Sequence, residues 1–356
     1  MKVVTVVGAR PQFIKAASVS RLLKTVANEV ILHTGQHYDI NLSQVFFEEL
    51  DIPEPDYNLG VGSGPHGAQT GEMLAKIEAV LQKESPDRVL VYGDTNSTLA
   101  GALAAVKTGI RIAHVEAGLR SYNRRMPEEI NRVLTDHISD LLFCPGDAAV
   151  ENLRKEGITK SVYVVGDVMA DSLAYAVEKA EGSSTILGHL GIKPGEFYLA
   201  TVHRAENTDD PERLENILKA LTGLDLPVVF PLHPRTKQAI ETFKMTAYLD
   251  QPGMVVITPV GYLDMIHLEM SAKMILTDSG GIQKEAYWLS VPCVTLRDET
   301  EWIETVQLGW NVLAGGNDRS IVEKVLGFSI PLEHPELYGS GQASQKIVDH
   351  LLSANC

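Results

Sequence analysis

Met274-Ile275-Leu276-Thr277-Asp278-Ser279-Gly280-Gly281-Ile282-Gln283-Lys284-Glu285 is the stretch whose reading decides the fold class. A short apolar run halts at a turn of small residues and continues into a helix, so the segment reads as strand, tight turn and helix start, one βα unit. Small side chains at Ser279, Gly280 and Gly281 leave backbone N–H groups approachable, and the start of the helix favours an anion there. Glu285 follows one turn into the helix, placed either to accept ribose hydroxyls or only to complement the helix dipole.

Working outward, the same alternation fills the chain. Short β-branched runs bounded by Gly, Pro, Asp or His lie near 3–7, 29–33, 88–92, 110–115, 140–144 and 162–166, and again near 197–202, 227–232, 254–258, 273–277, 292–296 and 311–314. Strands separated by helical stretches are the pattern of parallel βα units. Met73, Leu74, Ile77, Val80 and Leu81 fall on one helical face and read as core. Six strands followed by six predict an α/β protein of two Rossmann-like, doubly wound domains facing a central cleft, with the break in the polar region around 167–195. Ligands of such sheets bind at the carboxyl ends of the strands, so residues just after each strand are the candidates for chemistry.

The 356 residues suit two domains, and 44% hydrophobic with 22% charged residues is ordinary globular composition, which excludes disorder. A net charge of −15 argues against nucleic acid or an anionic membrane surface as partner. Cys144, Cys293 and Cys356 are widely spaced, with no CxxC pair and no metal-spaced histidines, so they read as reduced thiols, the first two buried. The apolar run at Val3–Val7 is too short for a signal or membrane segment, and a cytoplasmic location is expected. Gly62-Ser63-Gly64-Pro65-His66-Gly67 fits a dinucleotide-binding pattern, but Pro55–Leu59 before it is not a buried strand, and the segment reads as a loop.

Several strand ends carry titratable groups. Arg10 and Lys15 follow the first strand, near a helix start, where they would face an anion or remain solvated surface charges. Asp94, Glu116, Glu128 and His203 would provide proton transfer from two sides. Each also has a plainer reading: Asp94 as a helix cap, and Glu128 or Glu129 as dipole complements after Pro127.

GARPQFIK at 8–15, GQH at 35–37, GDTNST at 93–98, HVEAGLRS at 114–121, MPEEINR at 126–132, TVHRAEN at 201–207, TDSGGIQKE at 277–285 and YGSGQAS at 338–344 together resemble the non-hydrolysing UDP-N-acetylglucosamine 2-epimerases. The resemblance runs from residue 1 to about 350 and implies a GT-B type architecture. Residues 1–168 would form the N-terminal Rossmann-like domain, joined by a helix at about 340–356 crossing back, and 169–339 the UDP-binding domain. It further implies a homodimer, a UDP-sugar substrate, no metal and no redox cofactor. The implied reaction inverts C2 of UDP-N-acetylglucosamine by anti elimination of UDP to a 2-acetamidoglucal and re-addition, giving UDP-N-acetylmannosamine. By the same similarity Asp94, Glu116, Glu128 and His203 are catalytic, while Arg10, Lys15, Ser279, Gly280, Gly281 and Glu285 bind UDP or substrate.

The chain departs from the common pattern at Gln12, at Ala205, and at Thr300-Glu301-Trp302-Ile303-Glu304. The Gln12 and Thr300-Glu301-Trp302 variants look like those of relatives acting on UDP-2,3-diacetamido-2,3-dideoxyglucuronic acid, the alternative substrate, whereas Ala205 in place of a common Arg argues against simple carboxylate capture. Gln36 and His37 match part of the bacterial regulatory site, yet Asp39 and an Arg-free loop at 62–67 argue against allosteric activation. A GT-B glycosyltransferase and a non-catalytic nucleotide-sugar sensor are the readings from other classes; the several carboxylates weigh against both.

Overall fold

The computed structural model describes residues 1–35, 49, 51, 54–339 and 341–353, excluding the side chain of Arg10. Gln36, His37, Asp39 and Cys356 therefore lie outside the described residues, as does the side chain proposed for Arg10. The chain forms two compact units, Met1–Tyr175 with Glu336–Cys356, and Ala176–Pro335.

The first unit is built on strands β1 (Lys2–Val7), β2 (Asn28–His33), β3 (Tyr57–Asn58), β4 (Arg88–Tyr92), β5 (Arg111–Val115), β6 (Leu141–Cys144) and β7 (Val162–Val164). They pair in parallel in the order β3-β2-β1-β4-β5-β6-β7. Strands such as β1 and β4 are buried on both faces, which is why they read as unbroken apolar runs. Beneath the sheet, the His66–Glu84 helix buries Met73, Ile77, Val80 and Leu81 against Val4, Val6, Val89 and Val91. The Asn96–Lys107 helix comes so close that a Cβ on Gly101 would lie 3.2 Å from Val6 and Val91. A seventh strand, β3, was not foreseen: two half-exposed or exposed residues carry no apolar alternation. The Gly62–Gly67 segment follows this edge strand, and added Cβ atoms on Gly62, Gly64 and Gly67 would meet nothing within 4 Å. Its glycines therefore serve no close packing.

The C-terminal Ala343–Ser353 helix belongs to this unit and packs on the Arg10–Val26 helix. Asp171 caps it from another helix, accepting from the Ala343 and Ser344 N–H groups at 3.1 and 2.8 Å. The approach to it is tight: a Cβ on Gly339 would lie 2.9 Å from Gly166 Cα.

The second unit repeats the plan with β8 (Tyr198–Thr201), β9 (Val228–Pro231), β10 (Met254–Ile257), β11 (Met274–Thr277), β12 (Cys293–Thr295) and β13 (Asn311–Leu313). These six strands are parallel in the order β10-β9-β8-β11-β12-β13. Alternate residues feed two cores: Tyr198, Ala200, Met274 and Leu276 on one face, Phe197, Leu199, Ile275 and Val229 on the other. In both sheets the strand order reverses beside the first strand, between β1 and β4 and between β8 and β11. Such a reversal opens a crevice at the carboxyl edge; Arg10, Lys15, Asp94, His203 and Ser279 follow those strands, and Glu116 follows the neighbouring β5. Among the described residues no helix is long and apolar enough to cross a membrane.

Candidate active site

In the first unit, Glu116 leaves the end of β5 with φ +68°, a conformation costly for a side chain other than glycine and often retained at functional sites. Its Oε2 accepts from Lys15 Nζ at 2.5 Å. Gly93, at φ +62° after β4, makes room: a Cβ there would lie 3.3 Å from that carboxylate oxygen. Burial works against the Lys15 ammonium, but Glu116, Asp167 and Asp94 outweigh it and the pKa moves up. Lys15 thus spends its charge on Glu116 and is not a solvated surface cation.

Asp94, half-buried after β4, pairs with Arg132, and Asn131 Nδ2 holds its carbonyl at 2.9 Å. Arg132 also reaches Glu129 at 3.4 Å. The acids of Pro127-Glu128-Glu129 divide their work. Glu129 is buried and accepts from Ser121 N, Ser121 Oγ and Tyr122 N at 2.8, 2.9 and 2.9 Å, fixing the preceding loop. Burial would raise its pKa, yet those bonds and Arg132 hold it below the usual range. Glu128 is exposed and makes none of these contacts.

Below the carboxylates lies a buried polar chain. His114 Nε2 meets the Gly93 carbonyl at 2.7 Å, and His114 Nδ1 meets Asp136 Oδ1 at 2.7 Å. Asp136 Oδ2 accepts from Gly118 N at 3.1 Å and Arg120 at 2.7 Å, and Arg120 in turn grips Glu156. Burial pushes the Asp136 pKa up, but His114 and Arg120 more than reverse that and keep it ionised. The chain fixes both strand-end turns, at Gly93 and at Gly118, against each other.

Gln12 faces inward. It is buried, with Oε1 accepting from Gly8 N and Ala9 N at 2.8 and 3.0 Å and Nε2 donating to Tyr92 O and Thr98 Oγ1 at 2.7 and 2.9 Å. Every hydrogen-bonding group of the amide head is directed at the protein, so the Gln12 variant shapes the first turn and not a pocket wall. It also occupies two N–H groups that an anion at the Arg10–Val26 helix start would otherwise use.

In the second unit, Asp278 ends β11 fully buried and gathers the turn after β8. It accepts from His203 N at 3.0 Å, Arg204 N at 2.9 Å, Asn207 Nδ2 at 2.9 Å and His203 Nδ1 at 3.1 Å. Burial raises its pKa, and these donors bring it down below the ordinary value. With Nδ1 directed at a carboxylate, His203 is left to use Nε2 outward. His233 stands 5.5 Å away, ring to ring.

Ser279 caps the Gly280–Trp288 helix, its own N–H already held by Thr277 Oγ1 at 2.9 Å. The anion-receptive amides are thereby reduced to Gly280 and Gly281, whose place in the first turn gives them no intrahelical acceptor. Trp302 Nε1 donates to the Gly280 carbonyl at 2.7 Å, fixing that turn. A guanidinium nitrogen of Arg204 and a carboxylate oxygen of Glu301 would each lie 3.7 Å from a Cβ on Gly280, so a cation and an acid stand together at the helix start. Half-buried Glu285 accepts from Tyr262 Oη at 3.0 Å.

Sequence reasoning missed Arg132, Arg204, His114, Asp136 and Asp278 as members of these constellations. Arg204 had a local signal, standing next to His203 in a strand-end turn; Asp278 stood inside the strand-to-helix stretch itself.

Fold and site are those of a two-unit α/β enzyme, with acid–base groups at the strand ends of one unit and an anion-receptive helix start in the other. The sequence model of the UDP-N-acetylglucosamine 2-epimerase family matches residues 22–352. A UDP-N-acetylglucosamine 2-epimerase homolog of Methanococcus maripaludis is 56% identical over 354 residues, covering 99% of each chain. The UDP-2,3-diacetamido-2,3-dideoxy-D-glucuronate 2-epimerase of Pseudomonas aeruginosa is 52% identical over 362 residues, again 99% of each. The solved UDP-GlcNAc 2-epimerase of Methanocaldococcus jannaschii superposes with a TM-score of 0.89 at 44% identity, over 99% of this chain and 100% of that one. The chain belongs to the UDP-N-acetylglucosamine 2-epimerase family.

Proposed function

We propose that the protein interconverts UDP-N-acetylglucosamine and UDP-N-acetylmannosamine by eliminating UDP across C1–C2 and adding it back after C2 is reprotonated on the other face. The observation that carries this reading is the Lys15–Glu116 pair one strand from Asp94–Arg132, in a chain of this family. A C2–H without an adjacent carbonyl is a very weak acid, so departure of UDP must lead. As the C1–O bond stretches, positive charge grows at C1 and acidifies C2–H, and donors on the diphosphate lower the same barrier that a carboxylate lowers by taking the proton.

In this scheme Asp94, Glu116 and Glu128 carry proton traffic, with Arg132 paired to Asp94 and Lys15 to Glu116. The Gly280 and Gly281 amides, His203, Arg204 and Arg10 receive the diphosphate, Ser279 caps that turn, and Glu285 accepts ribose hydroxyls. A UDP-sugar is the substrate, and the scheme moves a proton and a leaving group, needing no redox chemistry. The M. jannaschii enzyme has been solved in complex with UDP-GlcNAc and UDP, at 45% identity to this chain, which supports the assignment.

Removal of the Glu116 carboxylate is the direct test. Glu116→Gln is expected to lower kcat at least about a hundredfold while UDP still binds by calorimetry, as loss of a general acid–base group does. Near-normal turnover would take Glu116 out of the reaction.

A second reading, epimerisation of UDP-2,3-diacetamido-2,3-dideoxyglucuronic acid, is favoured by the 52% identity to the P. aeruginosa enzyme. Gln12 lends it no support as a pocket residue, because its amide is used internally. Turnover of the two sugars compared side by side separates the readings. We also propose a cytoplasmic homodimer: Met126, Ile130 and Leu134 recur at four-residue intervals as an exposed apolar stripe, running from just before the Pro127–Ile138 helix along one of its faces. Light scattering at twice the chain mass would support the dimer, and a monomer would refute it.

A further inference from the structure

The Tyr262–Ser271 helix carries Tyr262 and Glu269 two turns apart on one face, and the Gly280–Trp288 helix packs against it. Tyr262 Oη donates to Glu285 Oε1 at 3.0 Å. Glu269 is 1% exposed, and neither of its carboxyl oxygens has a hydrogen-bond partner. The groups that bear on Glu269 and its neighbour are few. From the facing helix, the charge of Glu285 opposes ionisation of Glu269; from β12, the Cys293 thiol feels Glu269. Burial raises the Glu285 pKa too, but there the Tyr262 hydroxyl and the Lys284 ammonium work against the rise, and Glu269 has no such help.

A buried carboxylate with no donor is among the costliest groups a fold can hold, and such a group keeps its proton instead. We infer that Glu269 and Glu285 form a carboxyl pair holding a single proton, carried by Glu269, so that Glu285 alone is charged and Glu269 is a positioning residue for the nucleotide site. The inference rests on reading Glu285 as the acceptor of ribose hydroxyls. Tyr262 and Lys284 decide which member is ionised, since both stabilise charge on Glu285 and neither is bonded to Glu269. One charge suffices to accept a hydroxyl; a second would repel the nucleotide diphosphate.

Burial and Glu285 raise the Glu269 pKa in the folded protein. The folded state therefore keeps a proton that the unfolded chain releases above about pH 4.3, and stability falls as pH rises from there to the folded value. An uncharged replacement removes that loss.

The experiment measures the Tm and the UDP Kd of the full chain between pH 4.5 and 9, in the wild type, Glu269→Gln and Glu285→Gln. Glu269→Gln is expected to match wild-type Tm near pH 4.5 and to exceed it increasingly at higher pH. The ratio of wild-type Kd to Glu269→Gln Kd should rise with pH as Glu269 titrates, by at most about tenfold per unit, the titration of UDP itself being common to both. If Glu269→Gln does not fold, Glu269→Met, which needs no partner, carries the same two expectations. A variant less stable than wild type at neutral pH overturns the inference, as does a Kd profile that it leaves unchanged while Glu285→Gln weakens UDP binding. Glu285→Gln tests the reading beneath it: weaker UDP binding, by about tenfold or more, supports Glu285 as a ligand. Unchanged binding with the predicted Tm behaviour would keep the carboxyl pair and remove Glu285 from the nucleotide site.

Discussion

Buried partners decide the behaviour of single residues here. Asp94, Glu116 and His203 were legible as candidates because each follows a β-branched run, but what holds them was not: Lys15 is 101 residues from Glu116 in sequence. The pairing of His203 with Asp278 spans 75 residues and is invisible to any local pattern. Gln12 shows the opposite failure, since a substitution judged by type suggested a pocket, and only its four internal bonds reveal a turn-fixing role. Asp136 is the residue on which the first unit's buried chain depends. Asp136→Asn is expected to destabilise by about 3–5 kcal/mol near neutral pH, because His114 and Arg120 would lose a charged partner. Its folded pKa is depressed, so this contribution is full above the unfolded value of about 3.9 and fades as pH falls through the folded value. Urea titrations at pH 7 and pH 3 measure the difference; an equal gap at both would contradict the account.

At the scale of elements, the strand-to-helix turns are the working parts. Every β-branched run read from the sequence appears as a strand: the buried inner strands show as unbroken apolar segments, and half-buried β7, β10 and β13 keep β-branched residues. Among the described residues only the two-residue β3 goes unannounced in the sequence, lacking both length and alternation. The turn after β11 was legible as an anion-receptive helix start, yet the bond from Thr277 Oγ1 to the Ser279 N–H could not be read from the sequence. Trp302 reaches the same turn from the segment before the Ile303–Gln307 helix, bonding the Gly280 carbonyl while Lys284 lies 4.5 Å from its ring. Trp302→Phe deletes that bond and keeps most of the apolar contact. UDP affinity is expected to fall about threefold to tenfold, the worth of one hydrogen bond, with the fold retained. Calorimetry showing unchanged affinity would mean that Trp302 does not fix the turn.

For the whole molecule, a charge of −15 must be reconciled with an anionic substrate. Much of the local answer lies in how the acids are used. Glu116, Asp94, Glu129, Asp136 and Asp278 are each tied to a cation, a histidine or backbone donors. On the proposed reading, the second unit meets the anion with the free N–H groups of a helix start and with Arg204, which stands beside Glu301. In the proposed reaction C2 loses and regains its proton as UDP is eliminated and added back. Incubating the protein with UDP-N-acetylglucosamine in deuterated water and following the sugar by NMR tests it most directly. The account predicts UDP-N-acetylmannosamine carrying deuterium at C2; epimerised product that retains its original hydrogen there would contradict it.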